Sequence, residues 1–234
     1  MTPTTSTISA TLFAIIVAGG SGSRMKSEVP KQFLLLNGKP ILQHTLERFL
    51  SVSPTPQLIL VLPARDQFIW ETLCQQHNFY PDPAASPIQI VDGGATRFQS
   101  VRNGLRAIHR PDGLVAVHDG VRPFVTPEII QHSYETAART GSAVACVPVK
   151  DSVRQVGPDG TSLALDRSRL RLIQTPQTFE LSRFRQAFQT DEQPFFTDCA
   201  SVMEYAGFPI TLIDGAYENI KITTPDDLFQ TKAS

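Results

Sequence analysis

The chain has 234 residues, 41% of them hydrophobic and 18% charged, with a formal net charge of −1. That length suits one α/β domain, able to bury about 70% of the surface its unfolded chain exposes. The balanced charge excludes bulk electrostatic attraction to nucleic acid or an anionic membrane, while local phosphate sites stay possible.

Residues 1–11 are rich in Ser and Thr and contain no Lys or Arg. The apolar run 12–18 is too short for a membrane span and lacks the charged lead-in of a signal peptide, which predicts a cytoplasmic protein with a short frayed leader. Within that run, Phe13-Ala-Ile-Ile-Val-Ala18 is unbroken, β-branched and ended by glycine, the signature of a strand buried on both faces. The runs 58–62, 88–91, 114–118 and 143–147 read as further strands. Between them lie helical stripes. Pro40 opens one at its first position, with Ile41, Leu42, Leu46, Phe49 and Leu50 on one face. Asp66 caps a second, running through Ile69 and Leu73. Val101, Leu105 and Ile108 mark a third, and Pro127, Ile130 and Tyr134 a fourth. Strand alternating with helix predicts a doubly wound, mostly parallel α/β sheet of Rossmann-like form.

The alternation breaks between Lys150 and Gln174. The turn Gly157-Pro-Asp-Gly160, flanked by 152–156 and 163–166, predicts a β-hairpin arm at about 150–174. An isolated hairpin is marginal in water, so this one is expected to pack on another subunit. Helical patterns resume at 181–188 and 199–206, a short strand follows at 210–213, and the chain closes with 225–232. No linker divides it, so residues 1–234 read as one domain with the arm projecting. Cys74, Cys146 and Cys199 are far apart, odd in number and without metal-ligand spacing, which predicts free thiols in a reducing compartment.

The chemistry starts where the first strand ends, in Ala18-Gly-Gly-Ser-Gly-Ser-Arg-Met25. Closely spaced glycines let backbone N–H groups approach a polyphosphate. The Walker pattern is excluded, because no Gly-Lys-Ser/Thr follows. The dinucleotide fingerprint, and with it an NAD-dependent dehydrogenase, lacks its third glycine and its acidic residue. Arg24 and then Pro30-Lys31-Gln32-Phe33 follow instead, two cations suited to charge on a reacting phosphoryl group.

These segments, with Asp92-Gly-Gly94, Arg97, Ser100, Val117-His-Asp-Gly-Val-Arg-Pro123, Pro148-Val-Lys-Asp-Ser152, Asp166-Arg167, Gln174-Thr-Pro-Gln177, Thr197-Asp198 and Asn219-Ile-Lys221, resemble the 2-C-methyl-D-erythritol 4-phosphate cytidylyltransferases in order, from about Phe13 to Leu228. The resemblance implies a nucleotidyltransferase fold and a reaction joining CTP to the polyol phosphate with loss of pyrophosphate, in non-mevalonate isoprenoid precursor synthesis. It implies catalytic roles for Arg24 and Lys31. Ala18, Gly19, Gly20, Gly22, Gly94, Ala95 and Ser100 are expected to hold CTP, with Arg97 supporting the loop. Arg122, Ser152, Arg167, Thr175, Thr197 and Lys221 are expected on the polyol-phosphate side. Asp119, at a strand's carboxyl end, is expected to hold Mg²⁺ or another divalent cation. His118 reads as structural, since an ionised phosphate nucleophile needs no base. The arm, carrying Ser152 and Arg167, implies a homodimer in which each arm serves the neighbouring site.

This sequence departs from the family pattern at Ser152, where Thr is commoner, at Val17-Ala-Gly-Gly20, at Gly120-Val121 and at Cys199. These bear on the polyol more than on CTP. The alternatives are a ribitol 5-phosphate cytidylyltransferase and a non-catalytic nucleotide-binding protein on the same fold; Asp166-Arg167 and Asn219-Ile-Lys221 weigh against the first, and retention of Arg24, Lys31 and Asp119 against the second.

Overall fold

The structure, a computed structural model, describes residues 10–19, 29–81 and 88–230. Gly20, Gly22 and Arg24 lie outside the described residues. Strand β1 (Leu12–Val17) is buried along its whole length. Parallel strands flank it on both sides, β4 (Gln57–Leu62) and β6 (Leu114–Asp119), with Ile15 opposite Ile59 and Val117. This is why its sequence is apolar at every position instead of alternating.

The sheet has seven strands in the order β11-β7-β10-β6-β1-β4-β5. Here β5 is Ile88–Asp92, β7 Ser142–Pro148, β10 Arg171–Glu180 and β11 Leu212–Asp214. All its ladders are parallel except those of β10, which runs antiparallel between β6 and β7. Leu35–Leu36 (β2) and Lys39–Pro40 (β3) form a minute separate hairpin that the sequence reading did not anticipate.

Helices cover both faces, and the period-two alternation of β1 divides the core. Ala14 and Ile16 join a cluster with Leu46 and Phe49 of α1 (Ile41–Leu50), Trp70 of α2 (Ala64–Gln76) and Tyr134 of α4 (Pro127–Thr140). Phe13, Ile15 and Val17 join a second cluster on the other face. It includes Val101 of α3 (Arg97–Arg106), Phe184 of α5 (Leu181–Ala187) and Val202 of α6 (Cys199–Tyr205). Each buried Ile, Leu, Val or Phe among them contributes about 1.5–3 kcal/mol relative to exposure. Helix α7 (Pro225–Gln230) closes the described chain. Among the described residues, no helix is long and apolar enough to cross a membrane.

The expected strands and helices are present, with local corrections. Asp66 does not cap α2; the helix starts after Pro63, and Asp66 lies in its first turn, where a carboxylate still complements the helix dipole. Pro40 precedes α1 instead of opening it. Ile108 is buried beyond the end of α3, and the last strand begins at Leu212 instead of Ile210. The largest omission is β10, whose polar centre gives no apolar signal.

The hairpin is formed by β8 (Val153–Val156) and β9 (Ser162–Leu165), with Val153 opposite Leu165. It makes no ladder with the main sheet. Val156 and Leu163 are 68% and 65% exposed, large apolar side chains left in water by this chain alone.

Candidate functional site

The carboxyl ends of four neighbouring strands converge on one cleft of about 530 Å³. Ala18 and Gly19 follow β1, Pro63 follows β4, Gly93, Gly94 and Ala95 follow β5, and Asp119 ends β6. This edge is where open α/β sheets bind ligands. Lys31, Arg65, Arg97 and Lys221 also line it, so four cations face one carboxylate, a charge balance suited to a polyanion.

The loop after β5 is fixed from both ends. Gly93 donates its N–H to the Leu62 carbonyl at 2.8 Å, and Gly94 donates to Ser100 Oγ at 3.0 Å. Thr96 caps α3 by accepting from the Gln99 N–H at 3.1 Å. A Cβ on Gly94 would lie 2.3 Å from Gln99 Cβ and 2.9 Å from its carbonyl carbon, so this approach of loop to helix requires glycine. Ser100, 4% exposed, keeps a hydroxyl hydrogen to offer while holding the loop. Across the cleft, Lys31 begins a 3₁₀ turn that ends at Phe33, whose ring stacks on Trp70 with centroids 6.2 Å apart. The buried Gln32 between them donates to Asp66 Oδ2 at 3.4 Å, tying the turn to α2.

Asp119 is at the centre. Lys221 Nζ lies 3.0 Å and Arg122 Nε 3.4 Å from its Oδ2, and Arg97 Nε 3.5 Å from its Oδ1. Burial opposes ionisation of this carboxyl, but Arg97, Lys221 and Arg122 outweigh it and hold it well below the usual carboxylate range. The neighbouring His118 is fully buried, and burial lowers its pKa to about 4. Its Nε2 lies 3.2 Å from the Arg122 carbonyl, which only accepts, so Nε2 carries the proton. Nδ1 is then the acceptor, and Thr175 Oγ1 donates to it at 3.0 Å while accepting from the Asp119 N–H at 3.1 Å.

A smaller hollow of about 230 Å³ adjoins the first and shares Arg97, Asp119 and Lys221 with it. Arg122, Thr175 and Thr197 line this side. The structure thus brings together Ala18, Gly19, Lys31, Gly94, Ala95, Ser100 and Asp119 around the larger space, and Arg122, Thr175, Thr197 and Lys221 around the smaller one. Ser152 and Arg167 line neither; both are exposed on the arm, and Arg167 Nη1 donates to the Lys150 carbonyl. Arg97 does more than support a loop: from the first position of α3 it reaches Asp119 and, through Nη1, Cys199 Sγ at 3.3 Å. Its place three residues after Gly94 was the only sequence signal for this role.

The family model for IspD, 2-C-methyl-D-erythritol 4-phosphate cytidylyltransferase, matches residues 12–234. The chain belongs to this family. The Bacteroides thetaiotaomicron 2-C-methyl-D-erythritol 4-phosphate cytidylyltransferase is 49% identical over 214 residues, spanning 92% of this chain and 94% of that relative. The Bacteroides fragilis protein of the same name is 45% identical over 215 residues, 92% of this chain and 95% of its own. Among solved structures, the 4-diphosphocytidyl-2C-methyl-D-erythritol synthase of Anaerococcus prevotii superposes with a TM-score of 0.81 at 27% identity, covering 96% of this chain and 95% of that one. The Thermus thermophilus 2-C-methyl-D-erythritol 4-phosphate cytidylyltransferase gives 0.73 at 29% identity, covering 95% and 98%. The two hollows share a wall of charge formed by Arg97, Asp119 and Lys221.

Proposed function

We infer that the chain joins CTP to 2-C-methyl-D-erythritol 4-phosphate, a step of non-mevalonate isoprenoid precursor synthesis. A phosphate oxygen of the polyol attacks the α-phosphorus of CTP. The bond from that phosphorus to the bridging oxygen breaks, and pyrophosphate leaves with the electron pair. The observation that carries the reading is Asp119, ringed by Arg97, Arg122 and Lys221 at the junction of a larger and a smaller hollow.

CTP fits the larger space, with backbone at Ala18, Gly19, Gly94 and Ala95 and the Ser100 hydroxyl reading the nucleoside, and Lys31 and Arg24 on the phosphates. The polyol phosphate fits the smaller one, against Arg122, Thr175, Thr197 and Lys221, where the cations Arg97, Arg122 and Lys221 outnumber the carboxylates Asp119 and Asp198 and leave it net positive. Little bond-making falls to the protein; positioning and cationic stabilisation supply the rate.

Among the described residues, no cluster of His, Cys, Asp and Glu could cage a metal. A single carboxylate nonetheless fits Mg²⁺, which is commonly held by one or two carboxylates with phosphate oxygens and water completing its shell. Asp119 is the residue that would hold it, and the ion would supply neutralisation of phosphate charge. The arm is read as a dimerisation element delivering Ser152 and Arg167 to a second copy's smaller hollow, the whole chain forming one cytoplasmic nucleotidyltransferase domain.

The test is pyrophosphate release with CTP and Mg²⁺, comparing methylerythritol 4-phosphate with ribitol 5-phosphate. Release with the first alone is expected. Lys31→Ala should lower that rate by a factor on the order of 10²–10⁵. Release only with ribitol phosphate would overturn the substrate; CTP binding without release from either would favour a non-catalytic role.

A further inference from the structure

The motif Gln174-Thr-Pro-Gln177 is the least explained of the polar segments, because it occupies the middle of a sheet. The ladder between β10 and β7 slips between Ile173 and Gln177, and the polar side chains there bond to neighbouring elements: Gln174 to the loop before Lys221, Thr175 to the end of β6 and Gln177 to the start of α6. Gln174, Thr175 and Gln177 are all 6% exposed or less. Thr175 fixes Asp119 and His118, as described. Gln177 Oε1 accepts from the Cys199 and Ala200 N–H groups at 3.0 and 3.1 Å, and its Nε2 donates to Asp198 Oδ2 at 2.8 Å. That leaves Gln174.

Its amide spans the loop leading to Lys221. Nε2 donates to the Ala216 carbonyl at 2.7 Å, and Oε1 accepts from Asn219 Nδ2 at 3.3 Å and the Ala216 N–H at 3.4 Å. A Cβ on Gly215 would come within 2.3 Å of that Oε1, so the loop is cut to admit this side chain. Asn219, fully buried, donates a second time from Nδ2 to the Thr175 carbonyl at 2.8 Å. Both acceptors fix the orientation of its amide, and its Oδ1 is left buried without a partner. An orphaned buried oxygen carries a desolvation penalty, so this placement is held against that cost. The backbone of Asn219 then does the work: its carbonyl accepts from Arg122 Nη1 at 2.8 Å, and two residues on Lys221 reaches Asp119.

We propose that Gln174 is a positioning residue for the polyol-phosphate side of the reaction, holding the 215–221 loop so that Arg122 and Lys221 meet the incoming phosphate together. The proposal rests on the cytidylyltransferase reading. It also predicts which substrate will sense the residue. Gln174 bears on the larger hollow only through Lys221, which the two hollows share, whereas it lines the smaller one itself and, through the Asn219 carbonyl, holds Arg122, which lines the smaller one alone. A shift on the order of 1 Å in a positioning group can cost about a hundredfold in rate.

The test is steady-state pyrophosphate release by Gln174→Met, near in volume but unable to make these bonds, with each substrate varied in turn and thermal unfolding as a control. A rise of about tenfold or more in KM for methylerythritol 4-phosphate is expected, with KM for CTP within about twofold and Tm lowered by only a few degrees. Equal losses for both substrates, or no change for either, would overturn it. Should the Met variant fail to fold, Gly215→Ala carries the same test, because its Cβ would come within 2.3 Å of Gln174 Oε1 and push the amide off the loop without adding a charge. Absence of pyrophosphate from the unaltered protein would instead sink the functional reading, so the two failures are distinct.

Discussion

Burial and charge pull in opposite directions at Asp119 and His118, and the outcome differs at the two. Three cations keep Asp119 ionised despite burial, so its carboxylate stabilises the fold above the unfolded-state pKa of about 3.9 and that contribution is lost only as pH falls through its lower folded value. At His118 burial outweighs the Arg122 carbonyl and the Asp119 charge that favour protonation, and the ring stays neutral down to about pH 4. Above about pH 6.5 it is neutral both folded and unfolded; below that, only the unfolded chain takes up the proton. Stability should therefore fall by about 2 kcal/mol between pH 6.5 and 5 on its account, and His118→Gln should flatten that slope in urea titrations at the two pH values. The variant should leave the pH dependence of turnover unchanged, since that follows the substrate phosphate, with a second pKa of about 6. A loss of the acidic limb of turnover in His118→Gln would make the residue a base after all. Asp119 was legible in the sequence because it ends an apolar strand, where parallel sheets expose their chemistry. Arg97 was not, because its partners, Asp119 and Cys199, are distant in sequence and only the fold joins them.

Elements were legible wherever burial on both faces demanded unbroken apolar runs, as in β1, β4, β6 and β7. β10 failed that test for a physical reason. Its central side chains hydrogen-bond to the 216–219 loop, the end of β6 and the start of α6, so Gln174, Thr175 and Gln177 are buried yet polar, and Pro176 reads as a break. Asp66 misled differently: a carboxylate two positions into a helix has the same composition signal as a cap. At the level of the β5–α3 junction, the contact of Gly94 with Gln99 sets how near backbone N–H groups come to the larger hollow. Gly94→Ala drives a Cβ into helix backbone, which flexible side-chain motion cannot relieve. Overpacking of this kind costs about 1–3 kcal/mol. If it appears as displacement of the loop, KM for CTP should rise about tenfold or more while KM for the polyol phosphate holds; an unchanged KM for CTP would mean the loop does not read the nucleoside.

For the molecule as a whole, the hairpin is the part that one chain cannot explain. Its turn chemistry made it legible, and the proposed second copy is what would cover Val156 and Leu163 and take Ser152 and Arg167, which line neither hollow of their own chain. Replacing residues 153–165 by a short Gly-Ser link should leave the main sheet folded, shift the sedimenting species from dimer to monomer, and remove activity. A dimer that survives the deletion would place the interface elsewhere. The sheet's order has a separate consequence for how the chain assembles. β7 and β11 have no ladder to the other strands except through β10, which is the last of the three central strands to be synthesised. Half the sheet must therefore wait for a late, non-local insertion, the kind of step that slows folding and leaves strand edges exposed meanwhile. The sole tryptophan, Trp70 of α2, stacks on Phe33 and meets Phe79 edge-on, in segments that precede β6, β7 and β10 in the chain. On dilution from denaturant its emission should recover before pyrophosphate release does, since the first reports the early half of the sheet and the second requires β10 in place.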